Sequence, residues 1–223
     1  MELTIPGVVQ AWAEQDVAFE ISGRIDYVVQ EGVEVRGRWE ENGEVLVTGD
    51  LLARIDQSDF EAAVAAAQAD LDTAIIQRDR VAPAEVAEAE ASRDQANDEL
   101  QRVEEANRQG ATSVSELVSA RANADVAEAR VAAARAGLSS AEASVIRAEA
   151  ALDQARLDLA RTELWAPFGA EVSGRSQNVG GYASPGSPVV HLTMIDPIEV
   201  AVQVSAATSR EIAVNDRMRV FVD

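Results

Sequence analysis

Leu117, Ala124, Val131, Leu138, Val145, Leu152 and Leu159 recur every seven residues, and Ala120, Ala127, Ala134, Ala141, Ala148 and Ala155 fill the alternate positions. A repeat of 3.5 residues keeps one apolar stripe on one side of a helix, so this stretch predicts a coiled-coil arm. A second, less regular series precedes it: Phe60, Val64, Ala67 and Leu71, then Ile75, Ala82, Val86, Ala89, Ala96, Leu100 and Val103. Its phase slips near Ile75, and Arg93 intrudes on the seam. Pro83 lies inside this series, where it removes a backbone donor and crowds the preceding turn, which predicts a kink or short break. Between the two series, Asn107-Arg108-Gln109-Gly110-Ala111-Thr112-Ser113 offers a glycine stop and hydroxyl N-caps, with Glu116 three residues past Ser113. Residues 58–162 are therefore expected to form an antiparallel helical hairpin. Its turn lies near 107–113, and at 1.5 Å per residue each arm is about 75 Å long.

The flanks change period from helical to alternating. Ile21 to Ile25, Val28, Gly32 and Val35, then Val45, Val47 and Gly49 to Asp56 read as short strands divided by glycine turns. Leu164 to Gly169, Gly180-Gly181-Tyr182, Ser184 to Pro188 and Val189 to Leu192 form a second set of similar size. Neither set has enough strands to bury a face, so the two are expected to combine into one small sandwich carrying the hairpin as an insertion.

Composition narrows the chemistry. The chain is 47% hydrophobic but only 4% aromatic, and alanine dominates the apolar fraction, which suits close helix packing. Thirty-nine acidic residues against 19 basic ones give a net charge of −20, which phosphate backbones repel, so nucleic acid is excluded as a partner. All the basic residues are arginine. Without lysine there is no Schiff base, lipoylation or biotinylation. Without cysteine there are no disulfides, thiolate nucleophiles or cysteine metal ligands. No stretch reaches the roughly 18 to 20 uninterrupted apolar residues of a membrane span, and the amino end lacks signal-peptide regions, so the chain is expected to be soluble or trimmed to be so.

The stretch Val47 to Asp56, the Ala-rich hairpin, and Thr162 to Phe168 together resemble the split lipoyl-type domain of membrane fusion proteins, the HlyD-like periplasmic adaptors of which RND efflux subunits are one branch. Gly43-Glu44-Val45-Leu46-Val47-Thr48-Gly49 echoes the family pattern before its strand. An extra stretch around Arg36 to Asn42 departs from that pattern, and Ala166-Pro167-Phe168-Gly169-Ala170 is a shifted form of the usual turn. The segment from Asp196-Pro197-Ile198 through Val220-Phe221-Val222 resembles the start of the family's β-barrel domain and stops before a barrel could close.

The resemblance implies an α+β fold: a split lipoyl-like sandwich from 20–57 and 163–195, the hairpin of 58–162, and a partial β-barrel domain from 1–19 and 196–223. It further implies a periplasmic, non-enzymatic adaptor without cofactor or metal, anchored to the inner membrane through a segment outside this sequence. Its partners would be an inner-membrane transporter, a TolC-like outer-membrane channel, and copies of itself as a trimer or hexamer. An adaptor for type I protein secretion or an ABC-type (MacA-like) exporter shares the architecture. A lipoyl carrier domain is opposed by the missing lysine, and a free coiled coil leaves the strands unexplained.

In the family, an Arg, a Leu four residues on and a Ser seven beyond that dock the hairpin turn to the channel. These offsets fall on Arg102, Ala106 and Ser113. Taken without the family, Arg102 is a solvated helix residue and Ser113 an N-cap. The single His191 lies in an apolar strand pattern without a neighbouring nucleophile and reads as structural or partly exposed. Glu85, Glu88, Glu90, Glu104 and Glu105 are helix-surface charges interleaved with Arg, and Trp165 reads as core.

Overall fold

A computed structural model describes residues 7–41, 44–204 and 213, with the backbone alone described over 39–41 and 44–47. Contacts divide the chain into two compact units, Met1–Asp56 with Arg161–Asp223, and Gln57–Ala160.

The helical unit comprises α1 (Ser58–Ile76), a π-helical turn (Gln77–Val81), α2 (Ala82–Arg108) and α3 (Val114–Ala160). All thirteen seam positions of α3 are buried or half-buried, with Val131, Val145 and Leu152 almost inaccessible. Every position named for the first series also faces inward to some degree. Leu71, Val145 and Leu152 form a core cluster, with Val64, Ala67, Ala74, Ile75 and Ala148 packed around it.

The helices run antiparallel in strict step. Arg135 meets Glu90 at 2.6 Å and Arg121 meets Glu104 at 3.0 Å, so the step of fourteen residues toward the turn on α2, from Glu90 to Glu104, is matched by the step of fourteen toward the turn on α3, from Arg135 to Arg121. Arg93, the intruder on the seam, is half-buried and turns its guanidinium onto Asp94 at 2.7 Å.

At Pro83 the helix does not break. The N–H of Ala82 reaches five residues back to the carbonyl of Gln77, and the wider π-turn just ahead of the proline relieves its ring against the preceding turn. Ala74 and Ile75, just ahead of the π-turn at the place where the sequence pattern slips, are both half-buried.

The β unit contains β1 (Gly7–Ala18), β2 (Gly23–Val28), β3 (Glu34–Val35), β4 (Trp39–Glu41), β5 (Glu44–Val47), β6 (Leu51–Ile55), β7 (Glu163–Trp165), β8 (Ala170–Arg175), β9 (Tyr182–Ala183) and β10 (Pro188–Val202). Two four-stranded sheets, in orders β1-β10-β8-β3 and β7-β6-β2-β9, each draw strands from both sides of the inserted helices. In the second sheet Leu51 pairs with Trp165 and Arg54 with Glu163, and the Ile55 N–H donates to the Thr162 carbonyl at 2.9 Å. Phe19, Ile25, Leu52, Ile55, Val172, Val189, Val190 and Leu192 are fully buried. Strands so far apart in sequence are held together because each sheet would otherwise expose unpaired edges and half of this core.

Trp165 departs from the sequence expectation. It is 38% exposed, on β7, which among the described residues is an edge strand of its sheet, and the small Thr162 and Ala166 are buried instead. The stretch around Arg36 to Asn42 leads into the separate ribbon β4-β5. Its base is closed by Arg36, whose backbone N–H and guanidinium both donate to Asp50, at 2.8 and 2.9 Å.

Candidate functional site at the hairpin turn

Helix α2 ends in a Schellman motif. The Ala111 N–H donates to the Ala106 carbonyl at 2.9 Å and the Gly110 N–H to that of Asn107 at 3.0 Å, with Gly110 at φ +72°. A side chain at Gly110 would meet nothing within 4 Å, so the glycine is there for its left-handed backbone and not for space. The Asn107 amide then donates to the Thr112 carbonyl at 3.3 Å and ties the turn to the start of α3.

Ser113 and Glu116 form a reciprocal capping box. The Glu116 N–H donates to Ser113 Oγ at 3.3 Å, while the Ser113 N–H and hydroxyl donate to Glu116 Oε2 at 2.8 and 3.0 Å. The Ser113 backbone N–H, then its hydroxyl and that of Thr112, hold the Glu116 carboxyl below its ordinary value of 4.5. A depressed carboxyl contributes stability that is fully present above that value and is lost as the pH falls through the folded pKa. Helical melting of the wild-type chain should therefore weaken as the pH drops below 4.5, and a Glu116→Gln chain should show less of this dependence. Ser113→Ala should cost about 1 kcal/mol by thermal melting at neutral pH.

Of the three expected docking residues, Arg102 is the most available. Its side chain is 71% exposed and meets Glu99 at 3.1 Å, one turn back on the same helix. Ala106 is half-buried and its carbonyl is already engaged in the Schellman motif. Ser113 is exposed, but its hydroxyl serves the capping box. Arg102 also lines a shallow, open depression with Asp98, Gln101, Glu105 and Arg108.

Two neighbours were not singled out by the sequence. Val114 and Val118 stand one turn apart on α3 and are 72% and 61% exposed. The signal that could have found them is their position off the seam that begins with Leu117 and Ala120.

His191 is partly exposed on β10. Its Nδ1 lies 2.8 Å from Asp16 Oδ1, and its Nε2 lies 3.9 Å from Glu14 Oε2. It thus joins β10 to the facing strand β1, and among the described residues no cluster suited to a metal ion forms. Nor, among them, is any helix long and apolar enough to cross a membrane.

The fold is that of membrane fusion proteins and periplasmic adaptors. MacA from Actinobacillus actinomycetemcomitans superimposes with a TM-score of 0.59 at 19% identity, over 93% of this chain and 57% of that one. The periplasmic adaptor protein EmrA gives 0.52 at 15% identity, over 95% and 81%. A MacA-MexA chimera containing the Pseudomonas aeruginosa MexA α-hairpin domain gives 0.52 at 18%, over 93% and 56%. The chain thus spans a little over half the length of the MacA-type structures. No protein-family model and no curated protein matches the sequence.

Proposed function

We propose that this chain is the periplasmic adaptor of a tripartite efflux pump, linking an inner-membrane RND-type transporter to a TolC-like outer-membrane channel for export of small molecules. The observation that carries this is the hairpin itself. A 47-residue helix, about 70 Å long at 1.5 Å per residue, is held in step against a partner of matching length and finished by a doubly capped turn. Such a device suits a spacer between two proteins, and its fold is the one found in solved adaptors.

The β unit, whose sheets interleave strands from either side of the insertion, is read as the split lipoyl-type sandwich of 20–57 and 163–195. The long ribbon of β1 and β10 is read as leading into a barrel domain formed by 1–19 and 196–223. Residues 1–6 and most of 205–223 lie outside the described residues.

Assembly of several copies has support on α3. Ala122, Ala129, Ala136, Ala143, Ala150 and Leu157 recur every seven residues on its exposed side, flanked by exposed Val126 and Ile146. The outward position of a two-helix coil is ordinarily charged, and an uncharged row there suits packing against neighbouring copies.

Arg102, Ala106 and Ser113 are the proposed channel contacts. A surface pair such as Arg102 with Glu99 contributes little to folding, so the guanidinium can exchange it for carbonyls or carboxylates of the channel. Arg102→Asp should weaken docking by about tenfold to a hundredfold per copy, and with several copies abolish drug export. Crosslinking to the channel and export assays test this, with helical content as the control. Normal export and crosslinking by the variant would overturn the docking role.

A further inference from the structure

We propose that Val114 and Val118 are the apolar anchor of the hairpin turn, inserted between helix ends of the outer-membrane channel. This rests on the docking role above and names what that role lacks, a source of apolar contact. Ala106, which takes the place of the family's leucine, offers only a half-buried methyl. Ser113 spends its hydroxyl on Glu116. Val114 and Val118 are one helical turn apart, and Val114 is the most exposed large hydrophobic residue among the described residues.

Folding does not account for them. The first turn of a helix favours acidic and polar residues, which complement the free N–H groups, and β-branched side chains lose rotamer freedom there. A solvated valine at the first position of α3 is a poorer choice for the helix than aspartate or glutamate would be. Nor does the pair suit a contact between copies by itself, since two side chains fall far short of the roughly 800 Å² per partner of a stable interface. They fit an anchor within a larger contact that also includes Arg102. The Schellman motif and capping box fix the turn in advance, so little conformational freedom remains to be lost when the valines are buried.

The test is binding of the full chain to an immobilised, purified TolC-type channel in detergent. Val114→Asp and Val118→Asp should each weaken binding at least about tenfold, while Val114→Leu should stay close to wild type. Helical melting of Val114→Asp should be unchanged or higher, because a carboxylate in the first turn favours the helix. Loss of binding with stable folding is thus a result that a structural role would not produce. If both aspartate variants bind as wild type while Arg102→Asp does not, the anchor is wrong and the docking role stands. If Val114→Asp lowers helical content, the valine belongs to the fold and the proposal falls. If the wild type does not bind, or Arg102→Asp and both aspartate variants bind equally well, the docking role fails and the anchor with it.

Discussion

Leu152→Asp is expected to unfold much of the helical unit. Leu152 is 3% exposed and belongs to the cluster with Leu71 and Val145, on which Val64, Ala67 and Ala148 pack. Removing a buried leucine side chain costs about 2 to 5 kcal/mol, and an unpaired carboxylate in its place adds desolvation that no neighbour in the cluster offsets. The expected loss is about 4 kcal/mol or more, comparable with the whole stability of a marginal domain. Leu138→Asp should cost less, because Leu138 is only half-buried and its carboxylate can reach water. Glu142→Gln, on the exposed side, should stay within about 0.5 kcal/mol of wild type. Thermal melting by far-UV circular dichroism should rank the three in that order, and equal melting would mean that the seam runs elsewhere.

This seam was legible in the sequence because a heptad repeat is a local property. Every residue of it can be named from spacing alone, and the burial of α3 follows the spacing position by position. Ser113 with Glu116 was legible for the same reason, since a capping box is written within four residues. Pro83 was legible as a disturbance but not as a π-turn. Whether a helix breaks or widens at a proline depends on what its neighbours gain by keeping the seam, and here α3 packs against α1 ahead of the turn and α2 beyond it.

The β unit was less legible because its pairings are remote. Nothing within β6 says that its partner will be β7, more than a hundred residues away, and nothing within β7 says that it will lie at an edge. Trp165 shows the consequence: its size and apolar setting suggest core, yet it is 38% exposed on a strand that lies at the sheet edge among the described residues. At the hairpin turn the motif spacing located Arg102, Ala106 and Ser113. It could not show that the Ala106 carbonyl is engaged in the Schellman motif, or that Val114 and Val118 face water.

Gly37→Ala is expected to be the most damaging conservative change in the β unit. An added Cβ at Gly37 would lie 2.3 Å from both the Cα and the carbonyl carbon of Phe168 and 2.5 Å from the Gly169 nitrogen. These are backbone atoms, so no side chain can swing aside to make room. The surrounding backbone has no slack either. Arg38 N–H donates to the Ala166 carbonyl at 2.9 Å, Asp50 N–H to the Arg36 carbonyl at 2.9 Å, and Ala166 N–H to the Asp50 carbonyl at 3.0 Å. Making room for one methyl group must stretch or break at least one of these bonds, and the base of the β4-β5 ribbon moves with it. Overpacking at this closeness, with a backbone hydrogen bond lost in addition, puts the expected cost at about 3 kcal/mol or more. Gly174→Ala supplies the contrast in the same unit, because a Cβ there would meet only His191 Cβ at an ordinary 3.6 Å. Denaturant unfolding of the β unit, followed by tryptophan fluorescence, should show a large loss for Gly37→Ala and a small change for Gly174→Ala. Equal midpoints would mean that the Gly37 backbone can move away from Phe168 at little cost. A large loss would tie the two places where this sequence departs from the adaptor pattern, the stretch after Arg36 and the shifted turn at Phe168-Gly169, to one another: each fits only in the presence of the other.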